Sequence, residues 1–211
     1  MKFYQRYGKR ISDLALSWLV LLLGWPIFLI IAFLIKISSS GPIIFPQKRI
    51  GKNGRVFTLF KFRTMVKNAP RLKKKYAKLN EADGPVFKIR NDPRFINGLA
   101  KFLARSGLDE LPNLFNVLRG EMSWVGPRPL PADEAKEIAP EISHARESVL
   151  PGITSSWVVS GSHQLKFNTW MSLDLDYVKN FNFLTDFKIL GKTLLFCLKI
   201  SVSLLNPQEK K

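Results

Sequence analysis

The hydrophobic pattern of the chain is dominated by one block near its start. Residues 14–35, LALSWLVLLLGWPIFLIIAFLI, are apolar apart from Ser17, Gly24 and Pro26. As a straight helix the block would be about 33 Å long, enough to cross a hydrocarbon core of about 30 Å. It is too long for a cleaved signal peptide, and no small-residue cleavage site precedes the basic segment that follows. Pro26 sits near its centre. Proline removes a backbone donor and crowds the preceding turn, so a kink or break is expected at Trp25 and Pro26. Both flanks are basic: Lys2, Arg6, Lys9 and Arg10 before, Lys36, Lys48, Arg49, Lys52 and Arg55 after. Such clusters belong on the cytoplasmic side of a membrane. A straight span would strand one of them, whereas a re-entrant helix–break–helix keeps both inside, each arm reaching about 18 Å. The charge rule favours the re-entrant form over a plain span or a buried soluble helix.

Beyond the block the periodicity changes. Residues 41–65 read as short extended segments around a Gly51-Lys52-Asn53-Gly54 turn. Residues 67–83 carry Arg71, Lys73, Lys74, Lys75 and Lys78, which suit a solvated helix face or a surface drawn to anionic headgroups. Residues 95–105 predict a short amphipathic helix with Phe95, Leu99, Phe102 and Leu103 inward. Residues 112–119 predict another, opened by Pro112 and stopped by Gly120, with Leu114, Phe115, Val117 and Leu118 as its buried stripe. An acidic helix over 132–147, interrupted at Pro140, and helices over 168–181 and 186–205 complete the chain. The last is basic and amphipathic and suits either a membrane surface or a core. The fold class expected is α+β and mostly helical: a re-entrant membrane helix over 1–40, then a cytosolic domain over 41–211 with a small β element and interfacial amphipathic helices.

Composition sharpens this picture. The chain has 211 residues and a formal net charge of +17. Residues 1–105 hold 22 Lys and Arg against 4 Asp and Glu, while residues 106–211 are close to neutral. Such asymmetry points to a polyanionic partner: nucleic acid, an anionic membrane or phosphorylated substrates. With no nucleic-acid motif and a long apolar block, nucleic acid is the weakest of these. The single cysteine, Cys197, excludes a disulfide framework and a multi-cysteine metal site. No GxGxxG or Walker-type loop is present, and His144 and His163 lack partners at ligand spacing.

Three places could carry chemistry. Asp109 and Glu110 lie between Leu108 and Leu111 at the entry to the Pro112 helix, whose free N–H groups would suit phosphate. A carboxylate there would be ionised, hence nucleophilic or metal-binding; helix capping is the plainer alternative. Gly126-Pro127-Arg128-Pro129 holds an arginine in a rigid loop, which lowers the ordering cost of an Arg–phosphate contact. In Lys61-Phe62-Arg63, alternation along a strand puts Lys61 and Arg63 on one face, where paired cations suit a diphosphate or lipid headgroups.

Together these residues resemble the bacterial sugar transferases, in particular the monotopic polyprenyl-phosphate phosphoglycosyl transferases of the small, catalytic-core type. The resemblance runs over about residues 5–195. Its most specific block is Leu108 to Ser123, LDELPNLFNVLRGEMS, continuing to Val125-Gly126-Pro127-Arg128-Pro129. Lys61-Phe62-Arg63-Thr64-Met65, Asp92-Pro93-Arg94, Pro151-Gly152-Ile153-Thr154 and Asp186-Phe187-Lys188-Ile189-Leu190 support it. The resemblance implies transfer of a phosphosugar from a UDP-sugar to a polyprenyl phosphate such as undecaprenyl phosphate, releasing UMP, with Mg²⁺ required. It implies that Asp109 is the nucleophile and a metal ligand, and that Glu110 gives acid–base or metal support. Lys61, Arg63, Arg105 and Arg128 become the phosphate contacts. It implies a membrane helix broken at Pro26, at the cytoplasmic face of a bacterial inner membrane, with anionic lipid as a partner and homo-oligomerisation left open. The chain departs from the family pattern at Trp25, often Ser, at Leu150, often Arg, and at Val158 and Ser162, where Gln and Arg are common. A membrane-bound non-enzymatic scaffold that keeps the fold is the alternative reading.

Overall fold

A computed structural model describes residues 3–205. Lys2, the side chains of His163 and Val202, and residues 206–211 lie outside the described residues. After a π-helical turn, Tyr4–Gly8, helix α1 runs over Lys9–Ser38. The hairpin β1 (Ile44–Ile50) and β2 (Val56–Phe62) follows. Then come α2 (Ala69–Lys75), α3 (Gly98–Ser106), a 3-10 segment over Leu108–Asn113 and α4 (Leu114–Arg119). A parallel pair, β3 (Ser123–Val125) and β4 (Gly152–Thr154), encloses α5 (Ala132–Ala135) and α6 (Pro140–Glu147). Helices α7 (Ser156–Val159), α8 (Phe167–Asn180) and α9 (Phe183–Leu205) close the chain. The fold is α+β and mostly helical, as the patterning indicates.

Local chemistry explains most boundaries. The β1–β2 turn places Asn53 at φ 56° and Gly54 at φ 72°, the left-handed pair that Asn and Gly tolerate best. Helix α3 starts later than the periodicity predicts, because Asn97 caps it by accepting from the Ala100 N–H at 2.9 Å. Phe95 instead pairs as a bridge with Met65. Pro140 divides the acidic stretch 132–147 as expected, opening α6. The stripe expected on 112–119 is corrected in part. Leu114 and Val117 are buried, but Phe115 is exposed, and the inward positions beside them are Asn113 and Asn116. Asn116 belongs there because its amide clamps α4 to β2: Nδ2 donates to the Thr58 carbonyl at 2.7 Å and to Glu121 at 2.6 Å, and Oδ1 accepts from the Phe60 N–H.

The expected interruption of the membrane helix is also corrected. Helix α1 is continuous, with Pro26 inside it. One proline removes one i→i−4 bond and presses on one carbonyl, which bends a helix without ending it. Trp25 is exposed on the outer surface. What the sequence did not show is that both ends of α1 are docked on the same domain. At the N-terminal end Lys9 Nζ bonds the Val125 carbonyl (2.9 Å), Tyr177 (3.0 Å) and Asp186 (2.6 Å). Arg10 bonds the Val117 and Leu118 carbonyls at the C-terminal end of α4. Asp13 accepts from Ser123 Oγ and the Trp124 N–H, and Trp124 Nε1 donates to Ser17. Two of the basic residues expected on the cytoplasmic side of the apolar block therefore hold the fold together. At the other end Ile31 and Ile35 are buried against Phe62 and Leu103. Between the docked ends Trp18, Leu19, Leu22, Leu23, Trp25 and Ile27 stand exposed.

Candidate active site

Gly107 ends α3 in the left-handed conformation, φ 78°, and turns the chain into the 3-10 segment. Residues three apart line up in a 3-10 helix, so this segment presents three rows. Leu108 and Leu111 form one and pack into the cluster of Ile31, Ile35 and Phe62. Glu110 and Asn113 form the row that lines a small cavity with Arg49, Leu59, Lys61, Met122 and Arg128. Asp109 and Pro112 form the third, both buried. The dyad is thus anchored by its apolar neighbours. It does not sit before a Pro112 helix as expected: Pro112 lies inside the 3-10 segment and α4 starts at Leu114. The positive charge around the dyad comes from side chains.

Glu110 is held by two cations. Lys61 Nζ forms an ion pair and hydrogen bond with Oε1, and Arg128 Nη1 lies 3.6 Å from the same oxygen. Asp109 makes no side-chain hydrogen bond or ion pair among the described residues. Burial, with the Glu110 charge adding to it, pushes Asp109 up to about 6 against the pull of Lys61, Lys88 and Arg128. Burial also works against the Glu110 carboxylate, but Lys61 and Arg128 outweigh it and hold that group well below the usual range. The expected ionised carboxylate at this turn therefore fits Glu110, whereas Asp109 is the less acidic of the two, with its oxygens free.

Of the expected phosphate contacts, Lys61 and Arg128 are brought to the dyad. Arg63 is not. Strand β2 ends at Phe62, and Arg63, 4% exposed, turns to the end of α1, where it donates to the Ser39 and Ser40 carbonyls and to Ser39 Oγ. Carbonyls at a helix C-terminus attract a cation, so Arg63 seals α1 onto the domain. Arg105, on the last turn of α3, donates to the Arg90 carbonyl at 3.0 Å and to Asn91 Oδ1 at 2.9 Å and makes no bond to the dyad. Trp25 and Pro26 contribute nothing to the cavity.

The loop that carries Arg128 is clamped along its carbonyls. Gly152 N–H donates to Pro127 O, Arg146 Nη2 to Arg128 O, Arg49 Nη1 to Pro129 O and Ile50 N–H to Leu130 O, all between 2.9 and 3.0 Å. Arg146 is itself held by buried Asp174 at 2.9 Å. The Arg128 guanidinium lies 5.6 Å from the Trp157 ring, which stacks on Trp170 at 4.4 Å. Trp157, next to the departure at Val158, thus supplies an aromatic support for Arg128.

Three residues of the site escaped the sequence reading. Arg49 pairs opposite Phe57, and Lys61 opposite Phe45. The face 45, 47, 49 is therefore the face 57, 59, 61, and carrying the alternation of Lys61 through the hairpin would have found Arg49. Burial and the nearby Arg128 lower its affinity for its proton to about 10. Lys88 lies within electrostatic reach of Asp109, Glu110, Lys61 and Arg128, from a loop with no periodicity to reveal it. Asn113 looked like an ordinary residue of an amphipathic turn.

No group of three or more His, Cys, Asp or Glu side chains forms a metal cage among the described residues. Mg²⁺ commonly takes one or two carboxylates and completes its shell with water and substrate phosphate oxygens. The dyad, with free oxygens on Asp109, fits an ion that arrives with a diphosphate.

The model of the family described as bacterial sugar transferase matches residues 4–200. The chain is 37% identical over 191 residues to the exopolysaccharide production protein ExoY of Sinorhizobium fredii, covering 89% of this chain and 84% of that protein. It is 35% identical over 196 residues to an undecaprenyl-phosphate galactose phosphotransferase of Salmonella typhimurium, covering 89% of this chain and 40% of the relative. It is 38% identical over 196 residues to an undecaprenyl-phosphate glucose phosphotransferase of Komagataeibacter xylinus, covering 88% and 35%. The chain thus spans less than half the length of the two phosphotransferases.

Proposed function

The chain belongs to the bacterial sugar transferase family, and on that premise we propose that it transfers a phosphosugar from a UDP-sugar to a polyprenyl phosphate, undecaprenyl phosphate above all. The observation that carries the reading is the division of labour in the dyad. Glu110 is neutralised by Lys61 and Arg128, while buried Asp109 keeps its oxygens free for phosphorus.

An Asp109 oxygen attacks the phosphorus that bears the sugar. The bond from that phosphorus to the bridging oxygen breaks, and its electron pair leaves with UMP. The resulting aspartyl phosphosugar is attacked by a phosphate oxygen of the lipid; the acyl–phosphate bond breaks and the Asp109 carboxylate is restored. A carboxylate nucleophile divides the transfer into two displacements, which predicts ping-pong kinetics. Lys61 and Arg128 balance charge that accumulates on phosphate oxygens, where preorganised cations contribute most. Asp109 is the residue that would hold Mg²⁺, which would supply further neutralisation of the diphosphate.

Membrane placement follows the same reading. Between Ser17 and Phe28, the nearest docked positions of α1, lie ten residues, about 15 Å of helix. Docked at both ends, this stretch lies along the domain and presents its exposed apolar face to one leaflet of the inner membrane, while the domain stays at the cytoplasmic face.

The test is a UDP-sugar panel with undecaprenyl phosphate in detergent, read by UMP release. One sugar should give turnover. With that donor alone the intact protein should gain the mass of the phosphosugar, and Asp109→Asn should show neither adduct nor turnover. An adduct that persists in Asp109→Asn sinks the nucleophile assignment; silence across the whole panel sinks the reading.

A further inference from the structure

The cavity beside Glu110 holds two buried polar groups that the reaction above leaves without a task. Asn113 is fully buried, and neither its Oδ1 nor its Nδ2 has a partner. Arg49 is 8% exposed; its Nη1 and Nη2 are bonded to the Pro129 carbonyl and to Gln47 Oε1, but its Nε–H is buried and unpartnered. Both residues line the same cavity with Lys61, Glu110 and Arg128.

Burying an amide without a partner is costly, and native structures leave few such groups. The comparison within this chain is direct. Asn116, equally buried three residues on, uses both amide atoms to tie α4 to β2. The fold needs Asn116 and makes no use of the Asn113 side chain. The 3-10 row sets Asn113 beside Glu110, and the hairpin register sets Arg49 on the face of Lys61. Donors dominate the lining: Arg49 Nε, Asn113 Nδ2, Lys61 Nζ and the Arg128 guanidinium, against the Asn113 Oδ1 acceptor. The one carboxylate among them, Glu110, is already shared by two of the cations. Such a cavity fits a single acceptor oxygen reaching in from a bound anion.

We propose that Asn113 and Arg49 form a phosphate-oxygen pocket beside the dyad, with Asn113 Nδ2 and Arg49 Nε–H as its donors. The identity of the phosphate rests on the transferase reading: it belongs either to the diphosphate of the donor or to the lipid monophosphate. The pocket itself can be tested without that reaction.

The experiment uses the full chain in detergent with inorganic pyrophosphate as the probe. Asn113→Leu keeps the volume and removes the buried amide, so its Tm should equal or exceed that of the unaltered protein. Pyrophosphate should raise the Tm of the unaltered protein and bind Asn113→Leu at least tenfold more weakly. Should Asn113→Leu not fold, Asn113→Asp, the same shape with a negative charge, should lose the probe as completely, and Arg49→Lys should weaken it. A lowered Tm in folded Asn113→Leu, meaning a structural amide, or undiminished pyrophosphate binding in these variants overturns the proposal. Two kinetic arms identify the phosphate. A slowed burst of UMP without lipid assigns the pocket to the donor; an intact burst with impaired transfer assigns it to the lipid phosphate. A protein that binds pyrophosphate through Asn113 yet turns over no sugar nucleotide sinks the transferase reading and leaves the pocket standing.

Discussion

At the scale of single residues, the role proposed for Asp109 opposes stability. Its carboxyl is buried without a hydrogen bond, and burial pushes it up to about 6. Replacing it by the neutral isostere Asn removes the cost of holding that charge away from water. Asp109→Asn, measured with a chelator present, should therefore be stabilised at neutral pH by roughly 1–3 kcal/mol, since a pKa unit corresponds to about 1.4 kcal/mol, while losing all turnover. Thermal unfolding followed by circular dichroism checks it; a Tm below that of the unaltered protein contradicts the burial argument. The sequence showed this residue because a rare motif surrounds it. It misassigned Arg63, since alternation along β2 holds only while the strand lasts, and β2 stops one residue short of it. It missed Asn113, because an amide says nothing about its partners until the neighbouring elements are in place.

At the scale of elements, much of the site depends on segments with little regular structure. The stretch between α2 and α3 carries Lys88 and is tied down at Asp92, where the buried Arg94 guanidinium bonds both carboxylate oxygens and the Ala69 carbonyl. Burial raises Asp92, but Arg94 outweighs it and holds the carboxyl below its ordinary value. A lowered folded pKa contributes stability that is present above the unfolded value of about 3.9 and is lost as pH falls through the folded value. Asp92→Asn should therefore cost about 3 kcal/mol near neutrality, as broken buried pairs do, and the difference should shrink below pH 4 in denaturant titrations. A difference constant from pH 3 to 7 would show that the pair adds no charge linkage. The Arg128 loop depends likewise on Arg146, buried between the Arg128 carbonyl and Asp174. Arg146→Lys keeps the charge but gives up the planar fork that reaches both; donor KM should rise about tenfold with a smaller change in kcat. An unchanged KM would mean the clamp does not set the Arg128 position. Helix existence and the β1–β2 turn were legible from periodicity and from Asn53-Gly54, which need only local chemistry. The β3–β4 pair was not, because three-residue strands carry no period and this one forms across a 26-residue connection.

At the scale of the whole molecule, the charge asymmetry and the apolar helix α1 belong to one proposal. The basic half holds α1, both its flanks and the Lys61 and Arg49 face, so in the proposed function it is the half that meets lipid and phosphate together. The two basic clusters suggest that both ends of the apolar block stay on one side, and the docking of both ends of a continuous α1 on one domain supports that proposal. A full span would have to release one end. Releasing the first end breaks the Lys9–Asp186 pair with the hydrogen bonds of Tyr4 to the same carboxylate and of Lys9 to Tyr177; breaking such a buried pair alone costs about 3–5 kcal/mol. Releasing the second exposes Ile31, Ile35 and Phe62, at about 1.5–3 kcal/mol for each buried side chain. Single cysteines at Arg6 and Ser40, in a Cys197→Ser background, report the outcome. A membrane-impermeant maleimide should reach both from the cytoplasmic face of oriented vesicles and neither from the outer face. Labelling of positions 6 and 40 from opposite faces would require one docked end to separate from the domain, and would overturn both the topology and the packing from which it is argued.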